Sequence, residues 1–236
     1  MNDTMVGNQA QGSPRDESHA HWGAQAAAYE PVLSRIGPYA DLVRAVVESQ
    51  RDSRRVLDQG FGAGVVARSL GEMGARVLAI DPFEDVVRTA ASVATPRVVW
   101  RRMDPAALEL PSAVVDGVVS CNVLHTLPDP FAAVAEACRV LVPGGRFTVS
   151  SPRRGFDVSV LDRQLALELT ECRDEPHERA CRELLNRRHR IVREGLAHVY
   201  DPEEFAALLL AESGFRQILD CGTAYLDQNF FVVVRR

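Results

Sequence analysis

Between Arg55 and Gly64 the chain reads Arg-Val-Leu-Asp-Gln-Gly-Phe-Gly-Ala-Gly, and no other stretch restricts the possible folds as tightly. A short apolar run closes on Asp58. Glycine then falls at every second position, Gly60, Gly62 and Gly64, and a helical pattern follows at once from Val65 to Leu70. This is strand, glycine turn, helix, the arrangement that brings backbone amides and a helix N-terminus up against a nucleotide-like ligand. Glycine is needed where such a chain turns sharply or where a β-carbon would block the ligand. The dinucleotide fingerprint Gly-x-Gly-x-x-Gly is not met. Its third glycine would be Val65 counted from Gly60, or Ala67 counted from Gly62, although alanine is tolerated there. The spacing that fits is Asp-x-Gly-x-Gly-x-Gly, from Asp58 to Gly64.

Strand and helix patterns alternate beyond this turn, which predicts parallel strands joined by right-handed crossovers. Arg76 to Ile80 is a second apolar strand and ends in Asp81. An acid at that point, close to the roughly 20 residues expected after the glycines, can accept hydrogen bonds from two ribose hydroxyls. Val98 to Arg102 is a third strand, followed by Met103 and Asp104. Asp116 to Pro130 carries a fourth strand and a turn, Ser-Cys-Asn-Val-Leu-His-Thr-Leu-Pro-Asp-Pro from Ser120 to Pro130. Arg139 to Val149 reads as a helix end, a Pro-Gly-Gly turn and a fifth strand.

Helices are expected at Tyr39–Glu48, Glu84–Val93 and Pro130–Leu141. The last has Phe131, Val134, Ala135, Cys138 and Leu141 on one face and Pro130 in its first turn. Asp201 caps a further helix with Pro202 at its first position, and Gly214 ends it. The final strands, Arg216–Cys221 and Asn229–Val234, are joined by a short turn and must run antiparallel.

In this order the segments resemble the class I methyltransferases that use S-adenosylmethionine (SAM), over about Trp22 to Arg236. The similarity is greatest to the small-molecule branch, which includes many tailoring enzymes of secondary metabolism. The resemblance implies an α/β, Rossmann-like fold: a seven-stranded sheet, mostly parallel with an antiparallel last strand, plus a helical lid insertion. It implies SAM as cofactor. Asp58, Gly60, Phe61 and Gly62 would lie at its amino-acid part, Asp81 at the ribose, and Met103 and Asp104 at the adenine, with Pro82 a further cofactor-binding residue. Asn122 would follow the fourth strand beside the cofactor. Tyr29, in the helix-like segment His21–Tyr29, would close over it, or else that helix packs on the sheet edge. O-methylation of a small molecule ranks ahead of N- or C-methylation. The alternatives are a SAM-binding member of the fold with a cyclase-like or regulatory role, and an NAD-dependent oxidoreductase. The latter is disfavoured by Val65 and by the lack of a Tyr-x-x-x-Lys pair.

A chain of 236 residues is one domain, here expected as a disordered tail over 1–18 and a methyltransferase domain over 19–236. The 46% hydrophobic and 25% charged content is that of an ordinary globular protein. No apolar run reaches the length of a membrane helix, and the N-terminus lacks a secretory pattern, so a cytoplasmic location is expected. A net charge of −5 argues against a nucleic-acid partner. All 27 basic residues are arginine, read here as coding bias. Five scattered cysteines make no disulfide framework. Cys172, His177 and Cys181 fit no standard zinc spacing, so no metal is expected. A small-molecule substrate is the one partner expected, and the oligomeric state is not legible.

The segment at about 152–200 is too long for a simple loop. It holds two helical patterns, about Val158–Cys172 and Glu178–Arg193, and lies where it can cover the carboxyl ends of the strands as a substrate lid. Its arginines, Arg153, Arg154, Arg163, Arg173, Arg179, Arg182, Arg187, Arg188, Arg190 and Arg193, either pair with neighbouring acids or bind an anionic substrate. His125, just past the fourth strand, is the candidate general base; its other roles would be to cap the turn or pack on the adenine. His189, His198 and Tyr200 are further candidates. Asn122 is not followed by the Pro-Pro-aromatic run that marks methylation of planar amino groups.

Overall fold

The structure, a computed structural model, describes residues 37–171 and 196–236. The 1–18 tail, Tyr29, the Glu178–Arg193 pattern, the Cys172/His177/Cys181 group, His189 and the lid arginines from Arg173 to Arg193 lie outside the described residues.

Helix α1 (Gly37–Ser49) leads into β1 (Arg55–Gln59), α2 (Val65–Met73), β2 (Arg76–Asp81), α3 (Glu84–Ala91), β3 (Val98–Arg102) and β4 (Val115–Cys121). A single 3₁₀ turn (Leu124–Thr126), α4 (Pro130–Val140), β5 (Leu141–Pro152), α5 (Val158–Glu171), α6 (Pro202–Glu212), β6 (Gln217–Ala224) and β7 (Asn229–Arg235) follow. The strands form one seven-stranded sheet in the order β3-β2-β1-β4-β5-β7-β6. Strands β1 to β5 are parallel, while β7 runs antiparallel to both β5 and β6. The Rossmann-like sheet expected from the sequence is therefore present, with its antiparallel last strand.

The sheet is covered on both faces, which is why its central strands read as nearly continuous apolar runs. Leu57, Val118, Phe147, Val149, Phe230 and Val232 point to the side of α4 and α6, where they meet Val134, Ala137, Phe205 and Leu209. Val56, Val77, Ala79, Val119, Phe231 and Val233 point to the opposite side and pack with Leu42 and Val46 of α1, Leu70 of α2 and Val86 of α3. Each fully buried Leu, Val or Phe contributes about 1.5–3 kcal/mol. Beneath β4, Gln50 is fully buried and donates to Thr148 Oγ1 at 2.9 Å.

Local chemistry sets the helix ends. Asp129 accepts from the Phe131 and Ala132 amides, and Pro130 opens α4. Asp201 and Glu204 form a reciprocal capping box at the start of α6, with Pro202 in its first turn. One element differs from expectation. The Pro143-Gly144-Gly145 turn lies inside β5, because the Arg236 backbone pairs with Gly144 and Gly145 and keeps the segment in the sheet. The β4–β5 register jumps there, from Val115↔Leu141 to Gly117↔Arg146.

The two ends of the insertion at about 152–200 meet. Arg153 bridges Tyr200 and donates to the Asp227 carboxylate at 2.6 Å. Arg154 donates to Asp201 and Glu204 at 3.2 and 2.6 Å. Arg163 donates to Ser159 Oγ at 2.9 Å. Arg153 and Arg154 fasten the two ends of the insertion, while the Arg163 bond lies within α5. Leu161 and Leu165 of α5 are 3% and 1% exposed and tie the helix to the core.

Candidate active site

The strand order reverses between β1 and β4, and ligands of open α/β sheets bind outside the carboxyl ends at such a point. Four neighbouring strands end there in the residues singled out above: Asp104 just beyond β3, Asp81 at the end of β2, Asp58 and Gly60 at β1, and Asn122 and His125 after β4. Positions spread from 58 to 125 in sequence are gathered onto one edge.

All three glycines of the turn are left-handed, with φ of 73°, 52° and 79° at Gly60, Gly62 and Gly64. Their reasons differ. A β-carbon on Gly60 would stand 2.6 Å from Val123 Cγ2, so this glycine lets the turn touch the loop after β4. A β-carbon on Gly64 would meet Trp100 and Arg68 at 2.9 Å, so that glycine serves packing under the turn. The amides of Gly60 and Phe61 donate to Ile80 O at 2.7 and 3.2 Å, stitching the turn to β2. The Phe61 side chain is 6% exposed and lies on Trp100, with centroids 4.7 Å apart. The Arg68 guanidinium sits 5.2 Å above the same indole. Phe61 thus supports the turn from beneath, and only its backbone can face a ligand.

Asp81 is buried and accepts from the Gly62 amide at 3.3 Å and the Phe83 amide at 3.1 Å. It fixes the turn and the start of α3 to one carboxylate, with Pro82 half-buried between. Met103 donates its amide to Asp81 O at 3.1 Å, and its side chain leans on the core. Asp104 is exposed, and its Oδ1 accepts from the Ala106 amide at 2.8 Å. If Asp81 holds a ribose, Asp81→Asn removes a charge and an acceptor. Losing a hydrogen bond to a charged group costs about 1.5–3 kcal/mol, so affinity for an adenosyl ligand is expected to fall at least about ten-fold in a calorimetric titration. Unchanged affinity would remove Asp81 from the site.

Asp58 is 1% exposed, and its Oδ2 has no partner among the described residues. Burial, and then the charge of Asp81, push its carboxyl up to about 7; the Ala67 amide opposes this. The folded-state value is raised, so the stabilising contribution is full below about 3.8 and is lost as pH rises through about 7. Asp58→Asn removes that dependence. Without ligand, its melting temperature is expected to exceed wild type at pH 8 by at least about 2–4 °C, the response to 1 kcal/mol at this size. A variant equal to wild type at both pH 5 and pH 8 would contradict this. The Cys121 thiol is pushed up to about 12 by burial and then by Asp58, which disqualifies it as a nucleophile at neutral pH.

After β4, Asn122 is left-handed at φ 59°, its amide donates to Ser150 O at 2.7 Å, and its Oδ1 accepts from Asn229 Nδ2 at 2.7 Å. His125 stands in the 3₁₀ turn with Nδ1 3.1 Å from Ser151 Oγ. Burial lowers its pKa to about 4, so the imidazole is neutral at pH 7. The Tyr200 ring packs on Phe205 and Phe131 at 5.3 and 6.2 Å, between α4 and α6, which makes it a packing residue. His198 precedes the α6 cap and is left-handed at φ 55°. Sequence reasoning missed Asn229 and Ser151. The available signal was an asparagine opening the otherwise apolar run Asn229-Phe-Phe-Val-Val-Val.

Glycine-lined backbone, an orphaned carboxyl oxygen and successive acids at strand ends suit a ligand that is cationic and carries hydroxyls, as SAM is. Residues 57–149 match the family described as "Methyltransferase domain". A probable S-adenosylmethionine-dependent methyltransferase of Mycolicibacterium smegmatis is 39% identical over 101 residues, 43% of this chain and 39% of that protein. A ubiquinone biosynthesis O-methyltransferase of Xanthomonas oryzae pv. oryzae is 35% identical over 106 residues, 42% of this chain and 44% of that one. The chain thus spans less than half the length of these curated relatives. The 1,6-didemethyltoxoflavin-N1-methyltransferase of Burkholderia thailandensis, solved with its substrate and S-adenosylhomocysteine (SAH), shares the fold. Its TM-score is 0.60 at 18% identity, covering 97% of this chain and 92% of that one.

Proposed function

We propose that this chain, which carries a class I S-adenosylmethionine-dependent methyltransferase domain, methylates an oxygen of a small molecule as a tailoring step in secondary metabolism. The observation that carries this reading is the glycine turn Asp58–Gly64 standing at the strand-order reversal, with Asp81 and Asp104 ending the two strands on its far side. Gly60 and Gly62 would give backbone to the amino-acid part, Asp81 and Pro82 would hold the ribose, and Met103 and Asp104 the base. Tyr29 is proposed as a closing residue. The preference for oxygen is supported by the name of the Xanthomonas relative and by a neutral histidine beside the β4 edge.

SAM supplies a methyl group already activated on sulfonium. The protein then has to align an acceptor in line with it and exclude water, and alignment can supply up to roughly 7–11 kcal/mol in favourable cases. Helix α5, which follows β5 in the chain, is proposed to cover the acceptor. His125 is the proposed general base, taking the hydroxyl proton as the oxygen is methylated. Among the described residues no helix is long and apolar enough to cross a membrane; a cytoplasmic enzyme without a nucleic-acid partner is part of this reading.

The test is a turnover assay with SAM and paired phenol and amine acceptors, read by mass spectrometry. SAH formed in step with a methyl ether supports the proposal. A methylamine alone would replace oxygen with nitrogen, and SAM bound without turnover across a broad acceptor panel would favour the non-methylating alternative.

A further inference from the structure

We propose that Asn229, at the start of β7, is a positioning residue for the amino-acid end of the cofactor: it holds the Asn122 side chain so that Asn122 offers N–H donors to a carboxylate. The inference rests on the reading that this chain binds SAM.

Asn229 is 1% exposed in a strand of Phe and Val. A buried amide is costly unless bonded. Its Nδ2 donates to Asn122 Oδ1 at 2.7 Å and to Ser150 Oγ at 3.0 Å, while its Oδ1 has no partner among the described residues. Reversing both amides would keep the contacts but strand two N–H donors where now one carbonyl oxygen is unmatched. Orphaned donors are the rarer and costlier case. The observed orientation is therefore the favoured one.

With Oδ1 engaged, the polar atom left on Asn122 is Nδ2. Its nearest partner is Cys121 Sγ at 4.0 Å, a weak acceptor. Asn122 is half-buried and left-handed at φ 59°, a conformation that persists where the surroundings enforce it and that clusters at ligand clamps.

The order of the sheet says what the donor meets. A ligand with its base at β3 and its ribose at β2 runs along the strand ends, so its far end reaches β1 and β4. That end of SAM carries a carboxylate, which accepts hydrogen bonds and donates none. Asp81 on the same edge is an acceptor, bonded by the Gly62 and Phe83 amides, and disfavours it. Asn122 supplies the donor on the β4 side, and Val123 beside it touches the glycine turn.

The experiment compares SAH with 5′-methylthioadenosine, which shares the adenosine and the thioether but lacks the amino-acid end. Both are titrated by calorimetry into wild type, Asn122→Asp and Asn229→Leu. Asn122→Asp keeps an acceptor for Asn229 and turns the outward donor into an acceptor. Its SAH affinity is expected to fall at least about ten-fold, the loss of one bond to a charged group, with methylthioadenosine affinity unchanged. Asn229→Leu leaves Asn122 in place but unfixed, and is expected to weaken SAH selectively by a smaller factor. Unchanged SAH affinity in either variant overturns the proposal. So does an equal loss of both nucleosides in Asn229→Leu, which would make Asn229 a purely structural residue. A wild type that binds neither nucleoside would instead overturn the cofactor reading beneath it.

Discussion

Gly60→Val is expected to abolish SAH binding. Two costs act together. The residue sits at φ 73°, where a side chain costs roughly 1–2 kcal/mol and a β-branched one more. Its β-carbon would also lie 2.6 and 2.8 Å from the two Val123 methyl groups. Relief requires the turn to lift away from the β4 loop, which moves the Gly60 and Phe61 amides off Ile80 O and carries the turn into the ligand's space. The sheet itself should survive, because β1 is paired with β2 along its whole length and with β4 from Val56 to Asp58. Circular dichroism is therefore expected to be native-like while the SAH-induced rise in melting temperature disappears. A normal ligand shift in this variant would show that the turn does not touch the ligand.

His125→Ala is expected to lower kcat by about 10², the lower end of the range for a general base, with SAH affinity unchanged. The lower end is set by environment. Burial holds the imidazole at about 4, which keeps it neutral and able to accept a proton at pH 7 but makes it a weak base. The acid limb of the wild-type pH–rate profile should accordingly fall near pH 4 and vanish in the variant. The sign for stability is the same. A lowered value means the contribution is full above about 6.5 and is lost as pH falls through about 4. Ser151, whose hydroxyl meets Nδ1 at 3.1 Å, fixes the ring. A drop smaller than about ten-fold with an unchanged profile would make His125 a structural residue and alignment the sole source of rate.

The parts of this architecture written locally were legible in the chain. Asp58 to Gly64 announces its turn because three left-handed residues in five leave little but glycine possible. The start of α6 was legible because Asp201, Pro202 and Glu204 form a cap from adjacent residues. The acid Asp81 followed from where the second apolar run stops, and Asp104 from the resemblance to the family.

What was hidden depends on contacts between distant segments. Phe61 sits inside the glycine motif, yet its side chain turns down onto Trp100, a neighbour supplied by β3. Asn122 is oriented by Asn229, 107 positions away. Arg153 and Arg154 read as possible anion ligands until the fold brings Asp227, Asp201 and Glu204 to them. The Pro143–Gly145 turn looked like a strand boundary because its pairing with Arg236 comes from the far end of the chain.

The most direct measurement is a paired calorimetric titration of the purified chain with SAH and with NAD. SAH is expected to bind at one site per chain, and at 100 times its dissociation constant to add about 2.7 kcal/mol of stability in a parallel melt; NAD is expected to give neither heat nor shift. Saturable binding of NAD with none of SAH would contradict the assignment of Asp58–Gly64 to S-adenosylmethionine and, with it, the proposed methyl transfer.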